Sequence, residues 1–154
     1  MEMPKPGIAH ERLARLAGTW HGEEKMFPSP WDPEGGTAQA TTHARVGLGG
    51  FAVITDYEQQ RGGRVTFSGH GVWTVDAEDR SCALHWFDCM GMGSEVFRGD
   101  WTGDVLTVRS RNAMGHARLT YDVSREKSLR VRMETSGDGK AWQPMFEGAY
   151  TRRS

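Results

Sequence analysis

Apolar and polar positions alternate with a period of two through most of this chain, and only the N-terminal segment breaks that rhythm. In Ala9-His10-Glu11-Arg12-Leu13-Ala14-Arg15-Leu16-Ala17 the side chains of Leu13, Leu16 and Ala17 share one helical face, and Gly18 supplies a stop. From Thr19 onward the alternation predicts ten strands, over 19–27, 37–46, 51–58, 64–75, 81–89, 94–101, 104–112, 115–123, 128–135 and 142–151. Glycine- and Asp-rich turns separate them, among them Gly49-Gly50, Gly62-Gly63, Thr102-Gly103 and Gly137-Asp138-Gly139. The segment 28–36 carries Pro28, Pro30 and Pro33, cannot be a central strand, and reads as a loop and candidate lid.

Short connections make consecutive strands antiparallel neighbours, and ten such strands lose their edges only by closing. The expected fold is an all-β, ten-stranded, antiparallel up-and-down barrel with a short N-terminal helix plugging one end. It forms one domain over 1–154, with the helix over 8–17 and the barrel over 19–151. Turn positions set the registers. Trp73 falls opposite Leu84, Val75 opposite Cys82 and Val72 opposite His85; Phe97 is expected opposite Val108, Gly99 opposite Leu106, and Asp88 opposite Glu95. One inner face then collects Trp20, Met26, Val46, Phe51, Val53, Phe67, Trp73, Leu84, Trp86, Phe97, Leu106, Val108, Leu119, Tyr121, Leu129, Val131, Phe146 and Tyr150. A one-residue slip would turn any of these strands inside out.

Strand sense sorts that interior into two ends. Trp20, Phe51, Val75, Val123 and Tyr150 gather where the helix arrives. The far end, beneath the 28–36 loop, collects Met26, Tyr57, Asp88, Glu95, Ser110, Met133 and Trp142, with Glu24, Thr55, Trp86, Phe97 and Tyr121 one layer deeper. A barrel of about ten strands is wider than side chains fill, which predicts a cavity at that mouth.

Composition changes this picture little. The 154 residues hold 20 glycines and 6 tryptophans, suited to turns and to filling a wide interior, and 19 basic against 20 acidic residues give a formal charge of −1. Such a balance gives no electrostatic case for nucleic acid or an anionic membrane. No run approaches the roughly eighteen apolar residues of a membrane span, and the N-terminus lacks a secretion-signal pattern. Cys82 and Cys89 fall on one strand rising about 3.3 Å per residue, too far apart for a disulfide. Free thiols in a cytoplasmic protein are the expectation.

The Leu16-Ala17-Gly18-Thr19-Trp20 opening, Gly47-Leu48-Gly49-Gly50-Phe51, Gly71-Val72-Trp73 and the closing Trp142, Phe146, Tyr150 and Arg152 resemble, in that order, the bacterial family of unknown function numbered 1579. The resemblance covers nearly the whole chain. It implies a calycin-like barrel with an apolar ligand, and no particular substrate. More distantly the chain resembles the nitrobindin barrels, which hold haem iron by an inward histidine of the last strand. The corresponding Gln143-Pro144-Met145-Phe146-Glu147 has no histidine, so no haem and no other cofactor is expected.

The remaining chemistry is sparse. His21, His43, His70, His85 and His116 all fall on the outer face, and no metal set follows from their spacing. Ser68 and Ser110 lack an inward His and Asp to activate them, and Gly47-Leu48-Gly49-Gly50 joins two strands rather than a strand and a helix, so neither a nucleophilic trio nor a phosphate loop is present. Asp88 and Glu95, if opposed, would repel and raise one pKa, making a candidate acid or base; the plainer reading is a wet, soluble rim. The leading expectation is a binder of a small apolar or amphipathic molecule. Met26, Tyr57, Trp86, Phe97, Met133 and Trp142 would supply apolar contact, and Glu24, Thr55, Asp88, Glu95, Ser110 and Tyr121 polar contact. The alternatives are an enzyme using Asp88 or Glu95, or a filled barrel acting as an interaction module. On the outer face of the third to sixth strands, Ile54, Val72, Phe87 and Val96 beside His70 and His85 form an apolar patch suited to a homodimer.

Overall fold

The computed structural model describes residues 1–153. A short helix α1 (Ile8–Leu13) tightens into a 3-10 turn over Ala14–Leu16. The helical segment is therefore shorter than the predicted 8–17, because Ala17 is already extended and Gly18, at φ +140°, opens the first strand. Ten strands follow: β1 (Gly18–Met26), β2 (Gly36–Gly47), β3 (Ala52–Arg61), β4 (Arg64–Val75), β5 (Cys82–Asp88), β6 (Glu95–Thr102), β7 (Val105–Asn112), β8 (Gly115–Asp122), β9 (Ser128–Ser136) and β10 (Gln143–Arg152). Each pairs antiparallel with its sequence neighbours, and β1 pairs with β10 to close the barrel.

The helical segment closes one end. Leu13 and Leu16 are buried against the barrel core, and Trp20 Nε1 donates to the Leu16 carbonyl at 3.0 Å. Arg12 donates to the Gly103 carbonyl, Arg15 to that of Val123, and Arg152 to that of Arg15. The plug is thus tied to two inter-strand turns and to the last strand, while the guanidinium of Arg152 lies 4.7 Å from the Trp20 ring centroid.

The expected β4–β5 register holds: Trp73 faces Leu84, Val75 faces Cys82 and Val72 faces His85. Two registers differ from expectation by two residues. Gly99 faces Val108, rather than Leu106, because the turn is Gly103-Asp104 and the ladder closes at Thr102 and Val105. A Cβ on Gly99 would overlap the Thr107 carbonyl, so the strands approach there at a position only glycine fits. On β5–β6 Glu95 faces Trp86, not Asp88, because the ladder ends at that pair and the eight residues 87–94 lie beyond it. An even shift keeps every side chain on its face, so the interior survives both changes. Val46 pairs with Val53, yet it is exposed at the rim rather than part of the core that was expected to include it.

Candidate functional site

The inner wall is built around Glu24. Alternation along β1 turns its side chain inward with Trp20, and it is fully buried. Tyr57 on β3 donates its hydroxyl to Oε1 at 2.6 Å, the Gln59 amide donates to the same oxygen at 2.9 Å, and Tyr150 on β10 donates to Oε2. Gly148 makes the last bond possible. It sits directly across from Glu24, and the Tyr150 hydroxyl occupies the volume its side chain would take. Thr66 in turn donates to Gln59 Oε1 at 3.2 Å, fixing the amide. Burial and the adjacent Glu24 charge push the Tyr57 and Tyr150 phenols well above their ordinary range; burial alone does so for Tyr121.

The Trp86 indole lies along its own wall, whereas Trp73 on β4 and Tyr121 on β8 meet across the barrel. A Cβ at Gly69 would overlap the Trp86 indole, and one at Gly71 would crowd Leu84, Thr55 and Trp86, so the ring lies flat on glycine backbone. Tyr57 packs beside it, its centroid 6.2 Å from Trp86 and 6.1 Å from Phe67, while Trp73 meets Tyr121 edge-on at 5.0 Å. Leu84, Phe97, Leu106 and Val108 are buried in the same core. Tyr57, Trp86, Tyr121, Met133 and Phe146 point inward and still keep accessible surface, so the wall is incompletely covered.

The mouth carboxylates are separate. Asp88 accepts from Trp86 Nε1 at 2.8 Å and from the Met90 amide at 3.0 Å. Glu95 accepts from Ser110 at 2.7 Å and Asn112 at 2.9 Å. Each has its own donors, and the direct opposition that would have coupled them is replaced by the Trp86–Glu95 pairing. Met26 receives a weak contact from the Gln59 amide at 3.8 Å, and Thr55 is buried opposite Gly71. Trp142 lies elsewhere. A bulge between Pro144 and Phe146 shifts β10, and the indole packs outside the barrel, 4.2 Å from the Arg118 guanidinium and beside His116. The 28–36 loop is anchored at the rim by Asp32, which pairs with Arg61 at 2.7 Å, and its Trp31 points to solvent.

The histidines keep to the exterior. His21 bonds to Thr41, His43 to Thr19, His85 to Thr74, and His70 Nδ1 lies 2.8 Å from Asp56. His10 packs edge-on against Phe51 in the plug. His43, Asp56, His70 and Phe87 border a shallow concavity of about 630 Å³ on the outer face of β2 to β5. On that side Ile54, Val72, His85 and Val96 are half-buried and Phe87 is exposed.

The sequence misses Gln59 on the inner wall and places Tyr150 there at a different level. Gln59 lies beyond the predicted end of the third strand at 58, although Val53, Thr55 and Tyr57 already point to it by alternation. Tyr150 was assigned to the plugged end from its backbone position, whereas its long side chain leans along the wall to Glu24.

A closed ten-stranded barrel with a plugged base and a mixed aromatic and acidic inner wall is a calycin-like protein. The family model described as "Protein of unknown function (DUF1579)" matches residues 5–152, and the chain belongs to that family. No curated protein matches the chain. Among solved structures it is similar to that described as "Crystal Structure of Rv2717c from M. tuberculosis", with a TM-score of 0.75 and 16% identity over 96% of this chain and 99% of that one. At that identity the likeness concerns the fold.

Proposed function

We propose that the protein binds a small, largely apolar molecule inside the barrel, admitted at the end opposite the N-terminal helix. The observation that carries this reading is Trp86 lying flat over Gly69 and Gly71. Two glycines on one strand hold the Trp86 indole against the wall, and a barrel selected only for packing would use the volume this leaves. Tyr57, Phe97, Tyr121, Met26 and Met133 would share the apolar contact with Trp86. Thr55, Ser110 and the carboxylates Glu24, Asp88 and Glu95 would orient the ligand. Trp142, on the outside, takes no part.

The test is titration with the neutral fluorophore 1-N-phenylnaphthylamine. Saturable binding of one molecule per chain is expected, with a blue-shifted emission and quenching of tryptophan fluorescence. Absence of saturable binding to the folded protein overturns the reading.

A further inference from the structure

Of the three inward phenols, two are committed to Glu24. The third is not: among the described residues Tyr121 has no hydrogen-bond partner, and burial is the sole influence on its ionisation. Its strand neighbours explain why. Leu119 and Val123 flank it along the chain, Leu106 and Val131 face it across the ladders, and Trp73 packs edge-on. None offers an acceptor side chain. The hydroxyl is not sealed off either, since Tyr121 keeps accessible surface on the inner wall. The hydroxyl has no acceptor among the side chains of its own strand, its ladder partners or Trp73, and an acceptor oxygen on a bound molecule would satisfy it.

Glu24 sets the charge of that acceptor. Its carboxyl group is held by three side chains, Tyr57, Gln59 and Tyr150, all of them neutral. Among the described residues no Lys, Arg or His lies within ion-pair distance of it. A carboxylate brought into the same low-dielectric interior would find no counter-charge there.

We infer that the barrel selects neutral, ring-containing molecules bearing a carbonyl oxygen, with Tyr121 as the donor to that oxygen, and rejects carboxylates of similar size, fatty acids included. The inference rests on the interior-binding reading above and names the ligand class for it.

Three probes on one ring system separate the two ideas: 2-acetylnaphthalene, 2-ethylnaphthalene and 2-naphthoate, measured by isothermal titration calorimetry. The ketone is expected to lose affinity about tenfold in Tyr121→Phe, the worth of one good hydrogen bond, while the ethyl compound changes by less than about twofold. Naphthoate should bind wild type at least about tenfold more weakly than the ketone, as expected for a charge buried without a counter-ion. Tyr121→Phe removes a hydroxyl that bonds to nothing in the protein, so its thermal midpoint should match wild type or exceed it. The inference is overturned if Tyr121→Phe weakens the ketone and the ethyl compound equally, or weakens neither. It is equally overturned if naphthoate binds as well as the ketone. If the ethyl compound itself fails to bind wild type, the interior-binding reading falls and this inference with it.

Discussion

The indole of Trp86 occupies the volume that a Cβ at Gly69 would need. The two residues are neighbours across β4 and β5, where Gly69 faces Asp88 and Gly71 faces Trp86, so the ring leans back along its own wall. The Trp86 Nε1 bond to Asp88 holds it there. A single missing methyl group thereby decides whether the Trp86 indole lies along the wall or projects inward.

Gly69→Ala should push the ring inward and break its bond to Asp88. The expected cost is about 1–3 kcal/mol, the range for overpacking a well-fitted site, read as a lower urea midpoint with unchanged slope. Phenylnaphthylamine affinity should fall in the same variant. A variant as stable as wild type that also binds the probe equally well would show that the ring has room to spare.

The Glu24 cluster makes a sharper stability prediction. Tyr150→Phe leaves the buried carboxylate one donor short and should cost about 1.5–3 kcal/mol, as expected for hydrogen bonds to a charged group. Tyr57→Phe should cost a similar amount. The double variant leaves only the Gln59 amide on a fully buried carboxylate, and its loss should exceed the sum of the singles. Urea unfolding at neutral pH measures all three, and additive behaviour would place the two phenols in separate environments.

How much of this was legible follows from particular residues. All ten strands were, because alternation and turn chemistry are local signals, and the β4–β5 register followed from the turn that the Asp76 N–H closes on the Ser81 carbonyl. The β6–β7 register did not, since Thr102-Gly103 and Gly103-Asp104 are both plausible two-residue turns and differ by two residues without changing any side chain's face. Trp142 was misplaced because a bulge in β10 is invisible in an alternation pattern. The Glu24 cluster was half visible: Glu24 and Tyr57 lie on the inner face by parity, whereas the reach of Tyr150 depends on side-chain length and on the absence of a side chain at Gly148. Sequence parity gives the face a residue points to. It does not give how far along the wall the side chain travels.

The two thiols should differ in reactivity. Burial pushes the Cys82 thiol up to about 11, whereas Cys89 is exposed at the start of the β5–β6 connection. Because the thiolate is the reactive form, Ellman's reagent should titrate one thiol in the native protein near neutral pH and two in urea. Cys89→Ser should abolish the native reaction and leave the slow one. Two fast thiols in the folded wild type would mean that the Cys82 end of β5 opens readily.

The chain has three tyrosines, and all three point into the barrel, which ties stability to alkaline pH. Each phenol has a folded-state pKa above its unfolded value, through burial in every case and through Glu24 as well for Tyr57 and Tyr150. Below about pH 10 both states are protonated, so the contribution to stability is fully present. Above it the unfolded chain releases protons that the folded chain retains, and stability falls as pH rises. Three phenols set a limiting slope of about 4 kcal/mol per pH unit, enough to unfold a domain of ordinary stability within one or two units. Absorbance at 295 nm should therefore show almost no phenolate while the β-sheet circular dichroism persists. All three phenolates should then appear together as the barrel unfolds. Tyr121→Phe should reduce the slope by about a third. A phenol that ionises near its ordinary pKa in the folded protein would place that tyrosine outside the wall described for it.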